Sequence, residues 1–201
     1  MARPHYIHFA RLLLAGLTLL VWVAPGNPAH GAVAAGCTEL IRNGGFEAGA
    51  ESWQQTSSGG YELISDFNPR TGSLGAYLAG YDEADDRLSQ QVELPADTII
   101  TLRAWWRLDT EETAGAFDQM TVSLLQPGGS ALADLVTVDT TAPEGVWDEI
   151  VVDLSAYAGQ SVIIRFAAQT DVSNVSHFYI DDIGIRACGR VRTFLPMIVR
   201  G

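Results

Sequence analysis

The chain has 201 residues, of which 12 are basic and 24 acidic, giving a formal net charge of -12 with no lysine at all. That length holds one well-buried domain and little more. An acidic balance of this kind repels nucleic-acid backbones and anionic membranes and suits calcium or neutral partners; an acidic surface that simply solvates the protein is the plain alternative.

Arg3 and Arg11 precede a compact apolar run at residues 12–24, which Pro25-Gly26-Asn27-Pro28 breaks and the small residues Ala32-Val33-Ala34-Ala35 follow. This is the pattern of a secretory signal peptide, with cleavage expected after Ala34 or, as an alternative, after Ala32. The run is shorter than the roughly 20 residues that a membrane span needs. The expected organisation is a signal peptide over 1–34, one domain over 35–189 and a C-terminal tail over 190–201, in a secreted protein or one held at the cell surface.

Cys37 and Cys188 are the chain's two cysteines and bracket almost the whole domain. In an exported protein they are expected to form one disulfide. Closing a loop of about 150 residues is worth roughly 4–5 kcal/mol in the ideal chain-entropy limit. Two separate thiols are the alternative. They do not make a zinc site with the scattered histidines, and no CxxC redox pair is present.

Residues 39–42 read as a first strand. Asn43-Gly44-Gly45-Phe46-Glu47 follows, a turn that asks for backbone freedom and then presents an apolar anchor and a carboxylate. Trp53 reads as a core plug. Residues 61–65 and 72–80 are strand candidates, the second rich in small residues, with a polar loop at 66–71 between them. An acidic loop carries Asp82, Glu83, Asp85 and Asp86, without the spacing of an EF-hand. Residues 87–94 place Leu88, Gln90 and Val92 on one face.

The strongest strand signal spans 98–108, where Leu102, Ala104, Trp106 and Leu108 share one face by alternation. Arg103, Trp105 and Arg107 share the other, an aromatic ring between two guanidinium groups. That set reads as a platform for a sugar ligand or as sheet packing in which arginine stems cover the indole. Strands are then expected over 118–125, 132–138, 147–154, 161–168 and 177–186, with a single helical turn at 155–159. About nine or ten short strands and no long helix point to an all-β fold of antiparallel sheets packed face to face. The tail beyond Cys188 is apolar but too short for a span.

The Asn-Gly-Gly-Phe-Glu opening, Trp53 and the closing Tyr179-Ile180-Asp181-Asp182-Ile183 resemble secreted galactose-binding-like jelly rolls, the group that includes carbohydrate-binding modules of bacterial xylanases. Gln90-Gln91-Val92-Glu93-Leu94, Trp105-Trp106 and residues 147–158 are similar to that group too, so the resemblance covers about residues 37–188. It implies an antiparallel β-sandwich of jelly-roll type. It also implies a structural calcium joining the first and last strands, through Glu47 and Asp181. Asp182 competes with Asp181 for that role, and Asn43 and Asp82 are further candidates. An established sugar-binding set does not match residue by residue, so Trp105, Arg103 and Arg107 rest on alternation alone.

Catalytic motifs do not appear. No Gly-x-Ser-x-Gly elbow accompanies Ser176-His177, no His-Glu-x-x-His helix occurs, and no glycine loop is built to cradle phosphate. Asp181 and Asp182 are adjacent in a strand, so their side chains are expected on opposite faces unless a bulge intervenes. The expected function is noncatalytic recognition of an extracellular glycan. The alternative is a structural or adhesion module whose partner is a surface protein.

Overall fold

A computed structural model describes residues 36–190 of the protein. The leader expected at 1–34 and the tail beyond Arg190 lie outside the described residues.

Among the described residues eleven strands run in chain order: β1 (Cys37–Glu39), β2 (Gln54–Ser57), β3 (Ile64–Ser65), β4 (Gly75–Ala79), β5 (Asp85–Glu93), β6 (Thr98–Thr110), β7 (Gln119–Leu125), β8 (Ala131–Asp139), β9 (Asp148–Asp153), β10 (Ser161–Gln169) and β11 (Ser176–Gly189). One turn of 3-10 helix, Ser155–Tyr157, links β9 to β10. They form two antiparallel sheets packed as a jelly-roll β-sandwich. The first has the order β3-β4-β11-β6-β9, with β1 added beside β11, and the second the order β2-β5-β10-β7-β8.

The alternation in β6 explains its place beside β11. Leu102, Ala104 and Leu108 are fully buried and Trp106 nearly so, while Arg103 is exposed and Trp105 and Arg107 are half-buried on the opposite face. Val162, Ile164 and Phe166 in β10 supply the facing layer from the second sheet. Each large apolar side chain removed from water in this way stabilises the fold by about 1.5–3 kcal/mol.

The expected first strand at 39–42 instead runs Cys37–Glu39, and the one expected at 61–65 shrinks because a side chain takes its backbone donors. The Glu39 carboxylate accepts the N–H groups of Leu40, Ile41 and Ile185, and the Leu40 N–H also donates to the Ile185 carbonyl just past the end of β1. The Gln55 side-chain oxygen accepts the N–H groups of Leu63 and Ile64, which leaves β3 only two residues.

The two chain ends of the domain meet. Cys37 and Cys188 stand opposite each other in the β1–β11 pair and are joined by a disulfide. Gly44 accepts the Ile183 N–H at 2.9 Å. A β-carbon on Gly44 would lie 1.8 Å from the Ile183 carbonyl oxygen, so only glycine permits this approach. Gln90 joins the opening segment to the second sheet by accepting the Arg42 N–H and donating to the Arg42 carbonyl, both at 2.9 Å.

Candidate functional site

The opening turn is built by Asn43, whose amide donates to the carbonyls of Gly49 and Glu51 and accepts the Ala48 N–H. Asn43 and Phe46 both sit at positive φ, 52° and 59°. Asparagine tolerates that region. For Phe46 it is strained, and the strain is held by complete burial of the ring against Trp53, at 5.3 Å between centroids. Trp53 is indeed a core plug, with its indole N–H donating to the Asn43 carbonyl.

This turn aims Glu47 at residues 69–74, where its carboxylate accepts the N–H groups of Ser73 and Leu74. The same segment receives both aspartates of β11. The β6–β11 register shifts between Asp181 and Gly184, and Asp182 takes φ 48°. This is a β-bulge. It keeps Ile180 and Ile183 both inside and turns both acids toward one segment, where unbroken alternation would have sent them to opposite faces.

Asp181 is fully buried. Its Oδ2 accepts the Arg70 and Thr71 N–H groups and its Oδ1 accepts the Asp182 N–H. Burial raises its carboxyl above the ordinary aspartate range in spite of those donors. Asp182 pairs with Arg70 at 2.5 Å and accepts the Thr71 hydroxyl.

Glu47, Asp181 and Asp182 therefore do come together around one segment, but as acceptors for its N–H and O–H groups. A hard cation needs several free oxygen lone pairs converging on one point. Here Glu47 and Asp181 accept backbone N–H groups, while Asp182 accepts hydrogen bonds from the Arg70 guanidinium and the Thr71 hydroxyl. Asn43 is spent on its own turn, and Asp82 is exposed.

Trp105, Arg103 and Arg107 share the outer face of the first sheet, although the two arginines do not flank the indole as partners. Arg103 pairs with Glu149 at 2.7 Å, and Arg107 pairs with Asp109 at 2.9 Å while its guanidinium carbon lies 5.7 Å from the Tyr179 ring centre. The cation over Trp105 is Arg70, at 3.7 Å.

Beyond them the same face carries an aromatic belt. Tyr77 of β4 stacks on Tyr179 and His177 of β11, at 5.3 and 5.8 Å between ring centres. Phe67 leans over it at 5.1 Å and is 54 % exposed. Tyr77 also bonds to His177 Nδ1 at 2.8 Å. Burial, with Tyr179 alongside, pushes the Tyr77 phenol up to about 12.

At the sheet edge Tyr77 lines a depression of about 160 Å³ together with Tyr61, Tyr81 and Glu62. Tyr61 is 62 % exposed and meets Tyr81 edge to face at 5.3 Å. Tyr81 is held by Asp86, at 2.6 Å, and by the Gly59 N–H. No local pattern in the sequence joins these residues: Tyr61 and Tyr81 are 20 positions apart in different loops, and His177 is a hundred positions from Tyr77.

Two other places hold polar chemistry. The outer face of the second sheet is a polar trough around Arg165, whose buried Nε has no hydrogen-bond partner, with Arg87, Ser123 and Asp134 nearby in a depression of about 310 Å³. No aromatic ring lines it. Among the described residues, the acids that bring one oxygen each within 4.8 Å of the others are Glu112, Asp118 and Asp171. This group could coordinate a metal ion, and the sequence reading did not single it out. Burial, with Asp171 and Asp118 beside it, raises the Glu112 carboxyl above its ordinary range.

No family model matches the chain. Over 139 residues it is 26 % identical to the pre-pro-metalloprotease PrtV of Vibrio cholerae serotype O1, a match that covers 63 % of this chain and 14 % of that protein. The chain thus spans only a small part of the curated relative's length.

Among solved structures it is similar to TmCBM61, determined in complex with β-1,4-galactotriose, with a TM-score of 0.55 and 18 % identity over 74 % of this chain and 97 % of that one. It is also similar to the K3 cleaved adhesin domain of Lys-gingipain from Porphyromonas gingivalis, with a TM-score of 0.52 and 19 % identity over 74 % and 99 % of the two chains. At these identities the likeness is one of fold: a carbohydrate-binding-module-like β-sandwich.

Proposed function

We propose that the protein is a noncatalytic extracellular glycan-binding module that reads its ligand on the outer face of the first sheet. The observation that carries this reading is the aromatic belt centred on Tyr77. Its rings pack on one another edge to face, tilted or stacked, and two of them, Phe67 and Tyr61, remain more than half exposed. Rigid, part-exposed rings beside fixed polar groups are the chemistry that packs on the apolar C–H face of a sugar ring while hydrogen-bonding its hydroxyls. Glu62, His177 and Arg107 supply polar groups along the belt. Trp105, Arg103 and Arg107 form its far flank, so the platform expected there extends the surface without being its centre. A disulfide across the domain suits an oxidising, extracellular setting. Among the described residues no helix is long and apolar enough to cross a membrane.

The test is a glycan array with the full chain, followed by calorimetry. β-1,4-Galactotriose, the ligand of one fold neighbour, is the first oligosaccharide to try. Tyr61→Ala and Phe67→Ala are expected to weaken binding at least tenfold, about 1.4 kcal/mol. Absence of binding to every glycan would sink the function, and unchanged affinity in both variants would sink the site.

A structural or adhesion module is the second reading. It is supported by Phe117 and Val172, which are 60 % and 69 % exposed in the β6–β7 and β10–β11 loops, and by the fold likeness to an adhesin domain. Recovery of a protein partner that is lost in Phe117→Ser with Val172→Ser would favour it.

A further inference from the structure

The acid group at one end of the sandwich stands apart from both the aromatic belt and the Glu47–Asp181 closure. Glu112 lies in the β6–β7 loop, Asp118 immediately precedes β7, and Asp171 opens the β10–β11 loop. One oxygen of each comes within 4.8 Å of the others. Clustered surface acids alone say little, but this set includes a carboxylate that is not at the surface. Asp118 is 0 % exposed. Its Oδ1 accepts the Asp171 N–H at 2.8 Å, while its Oδ2 is buried with no hydrogen-bond partner. Glu112 Oε1 is buried and unpartnered as well. None of the four arginine–acid pairs among the described residues involves these three acids.

Two orphaned carboxylate oxygens beside a third acid, with no cation in reach, are costly to fold around. An unsatisfied buried acceptor forfeits its hydration, and a buried charge forfeits far more. A single divalent ion placed among them removes both penalties.

We propose that Glu112, Asp118 and Asp171 form a calcium site that ties the β6–β7 loop to the β10–β11 loop. The donor set selects the ion. All three side chains offer hard oxygen, and no histidine or cysteine joins them, which disfavours zinc. Calcium takes about six to eight oxygens at about 2.3–2.6 Å in flexible geometry, which suits carboxylates brought from separate loops. Magnesium demands a tighter octahedron and keeps most of its water. Asp171 carries the site's effect further into the end of the sandwich, because its carbonyl accepts the Glu83 N–H at 2.6 Å, fastening the loop before β5. The ion would therefore brace three loops.

Calorimetric titration of the chelator-treated full chain with calcium chloride, paired with thermal melts, tests this. The wild type is expected to bind one calcium ion and to melt higher with it. Asp118→Asn keeps an acceptor for the Asp171 N–H and removes the charge, and Glu112→Gln alters a side chain that is only half-buried. Each is expected to weaken calcium binding at least tenfold and to shrink the melting shift. Glu47→Gln is expected to retain both. The proposal is overturned if the wild type neither binds nor shifts, if it responds to zinc but not to calcium, or if Glu112→Gln binds as the wild type does. Loss of binding in Glu47→Gln with retention in Glu112→Gln would overturn it in favour of the opening turn.

Discussion

Arg70 lies over the indole of Trp105, its guanidinium carbon 3.7 Å from the ring centre, while its Nη1 pairs with Asp182. One side chain thus covers an aromatic ring on β6 and fastens the segment before β4 to the bulge in β11. Arg70→Ala is expected to uncover the indole, strand Asp182 without its cation and lower stability by about 1 kcal/mol, since the pair is partly solvated. Urea denaturation would read the loss, and a red shift in tryptophan emission the uncovering.

That cover sets an expectation for ligand binding. If the belt around Tyr77 is the recognition surface, Trp105→Ala weakens glycan binding less than Tyr61→Ala or Phe67→Ala does. Calorimetry on the three variants against one array-positive oligosaccharide ranks them directly, and the reverse order would move the site to the Trp105 flank.

Gln90 bridges the opening segment to β5 with two hydrogen bonds to the backbone of Arg42 and is 6 % exposed. Gln90→Ala removes both hydrogen bonds to the part-buried Arg42 backbone, at a cost of about 1–2 kcal/mol. Chemical denaturation would show a lower midpoint with an unchanged slope.

Gly44→Ala would place a methyl group 1.8 Å from the Ile183 carbonyl oxygen. The obstacle is backbone, not a flexible side chain, so the closure must open. A loss of more than about 4 kcal/mol is expected, visible as failure to accumulate folded protein. By comparison, Cys37→Ser with Cys188→Ser removes the covalent part of the same closure and is expected to cost about 2–5 kcal/mol, readable as a lower melting temperature.

The alkaline limb of stability should report Tyr77. Its phenol is raised from 10.0 to about 12 in the folded protein, chiefly by burial. Between those values the unfolded chain releases the proton and the native state keeps it. The contribution is therefore whole below pH 10 and is lost as pH rises toward about 12. Tyr77→Phe is expected to flatten that fall in a series of melts across the interval, against a wild type that declines.

The sequence by itself determined the sandwich, because period-two alternation is a local property. Leu102, Ala104, Trp106 and Leu108 turn to the core, and Arg103, Trp105 and Arg107 turn outward, in any sheet that buries one face of β6. The pairing of Cys37 with Cys188 was equally legible, since only two cysteines bracket the domain. Which side chains meet was decided by tertiary structure alone. A single bulge at Asp182 reverses the expected divergence of two neighbouring aspartates. Arg70, not Arg103 or Arg107, reaches Trp105. Tyr61, Tyr77, Tyr81 and His177 become one surface, and Glu112, Asp118 and Asp171 one acid group, only when loops far apart in the chain are folded to the same edge or end. Periodicity specifies the face on which a side chain lies. Its neighbours across strands and loops depend on register and loop path, which no local pattern carries.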